Sequence, residues 1–423
     1  MAVEQIETVI IGGGQAGLAT SYWLKQHGRE HVVLEKSGRP GHAWRQRWDS
    51  FTLVTPNWMF RLPGAEYDGA DPGGFKPRDE IVATFERYVA GNALPVSFGV
   101  DVTAVERLAG SRYVAHGGGY SSYLVRTQEM EIEAQNVVMA TGLFQHAKIP
   151  AFAAGLPSDV QQLSSEQYRN PAGLPPGAVL VVGSGQSGCQ IAEELRKSGR
   201  RVFLSVGTCG RAPRRYRGKD IFEWLELIRF LDRPPNALPS PKAKFAANPH
   251  VSGAGGGHDL NLHQFAHDGI TLLGHLRGAT DERIGLALDL HDSLAKVDQF
   301  ETHLLGLIDD AIARNGIDAP DEQRFALRYG YDQQPIAEVD IEAAGISSVI
   351  WAAGYRFDFG LVKLPVTDGD GFPVQQRGIT AWPGLYFVGL PYLHTQKSGL
   401  LVGVGDDAAF IASHIATGKI SNT

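Results

Sequence analysis

Cysteine is almost missing from this chain: Cys189 and Cys209 are the two thiols in 423 residues. Neither belongs to a C-x-x-C pair, so a resident redox-active dithiol is excluded and no disulfide framework is indicated. No apolar run approaches the roughly 20 residues that a membrane-spanning helix requires. Positive charge is also short, with Lys plus Arg at 39 against Asp plus Glu at 46 and a formal net charge of −7. Such a balance gives nucleic acid and anionic membranes nothing to seek, so neither is expected as a partner. The N-terminal stretch carries Glu4 and Glu7 and lacks both a basic segment and a small-residue cleavage site. A secretory signal is therefore not read, and the cytoplasm is the expected compartment. What is plentiful is glycine, at 51 residues, in a chain 43% hydrophobic and 20% charged. That is the make-up of a globular protein long enough for two or three domains.

The glycines are concentrated where they carry chemistry. Thr8-Val9-Ile10-Ile11 reads as a buried strand, Gly12-Gly13-Gly14-Gln15-Ala16-Gly17 follows, Leu18 to Gln26 reads as a helix, and His31 to Glu35 as a second strand. A G-x-G-x-x-G between a strand and a helix is the dinucleotide fingerprint in its expected setting. Gly12 permits the tight turn, Gly14 admits a pyrophosphate, and Gly17 lets helix approach strand. The helix N-terminus then offers its unpaired N–H groups to the phosphates. Glu35 is placed to accept ribose hydroxyls and would repel a 2′-phosphate, so FAD or NAD is expected here, not NADP. Beyond Lys36, Trp44 and Arg45 lead into an aromatic run, Trp48 to Phe60, whose segment Thr52 to Trp58 is expected near a flavin ring.

The motif returns later. After the Pro/Gly-rich stretch Pro171 to Gly177, Ala178–Val182 reads as a strand, Gly183-Ser184-Gly185-Gln186-Ser187-Gly188 as a second fingerprint, and Gln190–Lys197 as its helix. The next strand, Val202 to Val206, contains Ser205 and is followed by no acid but by Thr208, Arg211, Arg214, Arg215 and Arg217. Loss of the acid and gain of arginines suits a bound 2′-phosphate, so this half is expected to take NADPH through Arg211 and Arg214. Two strand ends, Ala140-Thr141-Gly142 and Ala352-Ala353-Gly354, bring backbone close to a cofactor, and Gly389-Leu390 ends a third. The closing helix from Ala408 to Ile415 follows Gly403-Val404-Gly405-Asp406-Asp407.

Elsewhere the signals are structural. Asp79 to Ala90 and Ala287 to Ala313 carry helical apolar periods, Ile221 to Phe230 reads as a helix, and Val96–Glu106 and Arg112–Val125 alternate as strands. His258, Asp259, His263, His267 and His275 cluster in sequence but complete no metal-ligand pattern, so no metal is expected. The fold class expected is α/β, two Rossmann-like dinucleotide-binding domains, with the FAD domain split (1–170 and 341–423) around an NADPH domain (171–340).

With both fingerprints and both Ala-x-Gly segments in place, the sequence resembles the class B flavin monooxygenases, among them bacterial flavoproteins related to YUCCA-type and flavin-containing monooxygenases. The resemblance implies that FAD is held by Gly12, Gly14, Gln15, Ala16, Gly17, Glu35, Lys36, Trp44, Arg45, Val102, Ala140, Thr141, Gly142, Gly389 and Leu390. It implies that NADPH is held by Gly183, Gly185, Gln186, Ser187, Gly188, Ser205, Arg211 and Arg214, with Ala353 and Gly354 beside the cofactors. Asn57 matches the family's asparagine at the flavin edge, where its amide would donate to a flavin peroxide. The family's F-x-G-x-x-x-H-x-x-x-Y/F motif is incomplete, with Phe152, Gly155 and Tyr168 present and Ser164 in the region of the histidine. The implied activity is oxygenation of a nitrogen or sulfur atom of a small organic molecule by O₂, through a flavin C4a-(hydro)peroxide. Baeyer–Villiger oxidation, an NAD(P)H oxidase or reductase serving a quinone or partner protein, and a non-catalytic flavoprotein are the alternatives. A homodimer is the assembly considered.

Overall fold

The computed structural model describes residues 3–113 and 120–418. The expected strand Arg112–Val125 is therefore described only in part, because residues 114–119 lie outside. Two parallel sheets organise the chain. The first runs Gln375–Gln376, Ile379–Thr380, Leu385–Phe387, Glu131–Met139, Glu4–Ile11, His31–Glu35, Val96–Phe98. Its five-strand core from Leu385–Phe387 to Val96–Phe98 is parallel, and an antiparallel pair, Val102–Tyr113 and Tyr120–Thr127, joins it through Glu131–Met139. The second sheet is wholly parallel, in the order Gln161–Ser164, Ile346–Trp351, Ala178–Val182, Val202–Ser205, Thr271–Leu273.

The period of two along the first strand decides its two faces. Ile10 packs with Val33, Val138, Ala19 and Leu24 beneath the fingerprint helix Gln15–Gln26 and the closing helix Val404–Thr417. Val9 and Ile11 turn to the opposite face, against Val105, Val125, Phe359 and Phe387. Each such side chain, taken fully from water, contributes roughly 1.5–3 kcal/mol, so a strand apolar on both faces is fixed in register. The parallel strands need covered crossovers, and the two helices supply one cover.

The second sheet takes its edge strand from Gln161–Ser164, before residue 171, and a central strand from Ile346–Trp351, after residue 340. The Pro/Gly-rich stretch thus joins two strands of one sheet. Arg200 pins it, donating to the carbonyls of Pro171 (3.0 Å), Leu174 (2.8 Å) and Pro175 (2.6 Å). Of the incomplete motif, Tyr168 is fully buried and donates to Glu194 at 2.7 Å, while Gly155 backs onto the Ala279 carbonyl.

The long helical period becomes Leu290–Asn315, closed by Gly316 in the left-handed region (φ 59°). Leu290, Leu294 and Val297 pack toward the second sheet, whereas Leu304, Ile308 and Ile312 meet Ile221, Trp224 and Leu225. The helix expected from Ile221 to Phe230 ends at Leu227 and begins on a capping box in which Asp220 and Glu223 satisfy each other's backbone N–H groups. Among the described residues no helix is long and apolar enough to cross a membrane.

Candidate functional site

Both fingerprints stand at the C-terminal edge of their sheet, and both have one geometry. Gly12 has φ +109°, and a Cβ there would lie 2.6 Å from the Ala140 carbonyl oxygen. Gly183 has φ +105°, and its Cβ would lie 2.6 Å from the Ala352 carbonyl oxygen. At Gly17 and Gly188 a Cβ would come within 1.9 Å and 1.8 Å of the carbonyls of Gly12 and Gly183. Gly14 and Gly185 are the exception: a Cβ there meets nothing within 4 Å. Space is thus left at the two positions that must admit a pyrophosphate. Gly14 and Gly185 are also the N-caps of their helices and offer no capping side chain, so the first N–H groups remain available to an anion.

Each cradle is braced from elsewhere in the chain. Gln15 donates to the Gly399 carbonyl (2.7 Å), and Gly389 (φ +84°) presses on Ala16, which ties the closing segment to the first helix. Leu390 is buried behind it. Gln186 holds Val251 twice, donating to its carbonyl at 2.8 Å and accepting its N–H at 3.1 Å. Glu35 accepts the Gly13 N–H at 2.6 Å and the Ser37 N–H at 2.8 Å, so its carboxylate is fixed at the rim of the first cradle. Thr141 and Gly142 are stitched to Gln145 (3.1 Å and 2.8 Å), Lys36 is exposed, and Val102 is half-buried. Trp44 lies 6.0 Å from Phe51 and 6.4 Å from Phe85, and Arg45 is held by Glu86 and the Pro40 carbonyl. At the second cradle Ser205 is buried and donates to the Gly274 carbonyl (3.0 Å), Ser187 is half-buried, and Ala353 and Gly354 are exposed.

The two expected phosphate ligands, Arg211 and Arg214, are paired with other groups of the fold. Arg211 is 6% exposed and lies between Asp298 (2.7 Å) and Glu301 (2.6 Å). Arg214 is 1% exposed, gripped by Asp220 (2.7 Å from Nε), the Val54 carbonyl (2.7 Å) and the rings of Phe75 and Phe222. Arg211 is paired with two carboxylates and Arg214 with a carboxylate and a carbonyl, so each would have to leave those partners to take a 2′-phosphate. Arg217 is likewise taken, by Asp309 and Asp321. Arg211 and Arg217 of the sequence cluster pair with acids of the helix Leu290–Asn315.

Asn57 also differs from expectation. It is 6% exposed; its N–H bonds the Gly74 carbonyl (2.8 Å) and its Nδ2 donates to the Asp71 carbonyl (2.9 Å). Its Oδ1 is buried without a partner. An amide turned the other way would set two carbonyl oxygens against each other, so the acceptor is what this residue offers. Asp407 is a second such group, 4% exposed, with Oδ2 unpartnered and its pKa raised by burial. It stands in the first turn of the closing helix Val404–Thr417.

Other residues were not legible at all. Ser184 Oγ accepts the Gly207 N–H at 2.9 Å, and His275 stands beside Gly207, its Nδ1 2.9 Å from Asp289. The sequence cluster of histidines is dispersed, with His258 on Glu193, His263 on Asp298 and His267 on Asp268. Among the described residues no three His, Cys, Asp or Glu side chains gather as metal ligands.

Two glycine cradles on two parallel sheets, one rimmed by a carboxylate and one without, define an oxidoreductase that binds two dinucleotides. The chain belongs to the pyridine nucleotide-disulphide oxidoreductase family, which is matched over residues 9–220. It is 31% identical to the uncharacterized CzcO-like oxidoreductase of Geobacillus kaustophilus, covering 97% of this chain and 98% of that one. It is 28% identical to the indole-3-pyruvate monooxygenase YUCCA1 of Oryza sativa, over 53% of either chain. Its fold matches that of a flavin-containing monooxygenase from Stenotrophomonas maltophilia at a TM-score of 0.61 and 20% identity, over 98% and 99% of the two chains.

Proposed function

We propose that this chain is an FAD-dependent monooxygenase that uses NADPH to place one atom of O₂ on a nitrogen or sulfur atom of a small organic molecule. The observation that carries the reading is the pair of like cradles with unlike rims. Glu35 suits the unphosphorylated ribose of FAD. The second rim has no carboxylate at the corresponding place: there the Ser184 hydroxyl takes the Gly207 N–H, and His275 stands close by. No carboxylate takes the loop N–H there, and Asp289 is engaged by His275 (2.9 Å), which favours NADPH at this rim over the first.

The residues fit the two cofactors. Gly12, Gly14, Gly17 and the N-terminus of the first helix would hold the FAD pyrophosphate, with Glu35 on the ribose. Gly183, Gly185 and Gly188 would do the same for NADPH. FAD, when bound, supplies the acceptor for hydride and the route of the electron pair to O₂. The chain offers no dithiol to take those electrons instead, since Cys189 and Cys209 are free thiols outside the first cradle and burial pushes both pKa values up. That supports oxygen chemistry over disulfide reduction. Kinship with a monooxygenase over half the chain points the same way.

In this reading Asn57 acts as an acceptor, its Oδ1 taking a hydrogen bond from an N–H or O–H group of the bound cofactor or substrate. Asn57→Ala should keep FAD and its reduction by NADPH while diverting turnover to H₂O₂, through loss of about 1–1.5 kcal/mol. Peroxide released per NADPH, measured on flavin-loaded variant, is the test. An unchanged yield removes Asn57 from the catalytic group. Absence of any oxygenated product across nitrogen and sulfur nucleophiles, with quantitative peroxide from wild type, would instead favour an oxidase.

A further inference from the structure

Arg214 is a fully buried arginine whose contacts come from both sheet-bearing units. From its own side it holds both oxygens of Asp220, the N-cap of helix Ile221–Leu227, and its backbone N–H donates to Asp259 (2.6 Å). From the other side Nη1 donates to the Val54 carbonyl at 2.7 Å, and the guanidinium lies 4.5 Å from the Phe75 ring centre. Val54 is three residues before Asn57, on a loop held otherwise to its own unit through the Leu53 N–H to Lys76 (2.8 Å) and the Asn57 N–H to Gly74 (2.8 Å). Gly253 presses on the same loop, since a Cβ there would lie 2.0 Å from the Leu53 carbonyl oxygen.

We propose that Arg214 is a positioning residue: its guanidinium clamps the Leu53–Asn57 loop to the nucleotide unit and so fixes where the Asn57 amide stands. What the amide does there rests on the function proposed above; the clamp itself does not. A planar fork can serve two carboxylate oxygens and a carbonyl at once, and no lysine can reproduce that geometry.

Two variants test this. Arg214→Lys keeps the charge and loses the fork. Arg214→Met combined with Asp220→Asn removes both charges, so no buried ion is orphaned, and leaves an N-cap oxygen for the Phe222 N–H. Hydrogen exchange of the peptide spanning 52–60 should quicken by roughly tenfold or more in the double variant, with the helix at 15–26 unchanged. The KM for NADPH should stay within about twofold while peroxide per NADPH rises, a split that loss of stability alone does not produce. Unchanged exchange at 52–60, or equal quickening at 15–26, overturns the clamp. A roughly tenfold rise in KM for NADPH with exchange unchanged would return Arg214 to the phosphate ligands. Were wild type to give only peroxide, the monooxygenase reading would fall and the exchange result would still decide the clamp.

Discussion

The two cradles share their glycines and differ in how the loop is crosslinked to the strand beside it. In the first, the backbone N–H of Gly13 donates to the side chain of Glu35 at the end of the neighbouring strand. In the second the roles are exchanged: the side chain of Ser184, at the matching loop position, accepts the backbone N–H of Gly207 just past that strand. Both arrangements fix the loop. Only the first leaves a carboxylate at the rim. The bracing also differs, with Gly389 and Gly399 from the end of the chain closing the first cradle and Val251 from the inserted segment closing the second. The two loops are thus crosslinked and braced by different parts of the chain.

The strongest way to break this comparison is to fill the glycines that both cradles need. Gly17→Ala and Gly188→Ala each force a Cβ to within 2 Å of a carbonyl oxygen. Overpacking against backbone of this kind costs about 3 kcal/mol or more. Gly17→Ala should yield colourless protein, and Gly188→Ala yellow protein that NADPH no longer reduces; absorbance and thermal melts would check both. Gly14→Val and Gly185→Val, where the space is open, should lose the same nucleotides with little change in Tm.

Arg211→Ala comes next. It leaves Asp298 and Glu301 without their shared cation, and removing one partner of a buried pair costs about 3 kcal/mol. Tm should fall while the KM for NADPH hardly moves. A phosphate ligand would show the reverse. Burial raises the Asp298 pKa, but hydrogen bonds from His263 and Tyr331 and the Arg211 charge outweigh it and lower it to about 2, so it stays charged across the working pH range.

Gly207→Glu sharpens the contrast directly. A Cβ there has no atom nearer than 3.9 Å, so a carboxylate can be accommodated beside the second rim. It should raise the KM for NADPH about tenfold and spare NADH, a penalty of roughly 1.4 kcal/mol. Equal effects on both nucleotides would show that the rim does not select.

The smallest effect concerns pH. His258, 2.8 Å from Glu193 on the second fingerprint helix, has its pKa raised by that hydrogen bond. The stabilisation is fully present below the unfolded value near 6.5 and is lost as pH rises through the folded value. With the side chain 35% exposed the effect is small, a Tm change on the order of 1–2 °C between pH 6 and 8.5. His258→Asn should flatten it, whereas first-cradle variants should not.

Both fingerprints, their strands and the chain's α/β class could be read from the sequence because each rests on neighbours within about 30 residues. A glycine with φ near +105° is written locally, and so is the apolar period of the long helix. The partners of the arginine cluster could not be read for the opposite reason. Whether Arg211 reaches a phosphate or a carboxylate depends on Asp298 and Glu301, which lie some ninety positions further on and are brought to it by tertiary packing. Asn57 stands out through the family resemblance, yet its amide donor is committed to the Asp71 carbonyl, fourteen residues away. By itself the sequence determined two phosphate-binding turns, their order, and the acid that rims the first, because backbone sterics and short-range periodicity are local. The tertiary structure alone decided which cations are free, which amide atom is offered, and that the second rim is Ser184, Gly207 and His275. Those outcomes depend on which distant groups compete for each donor and acceptor, and only the packed chain brings the competitors together.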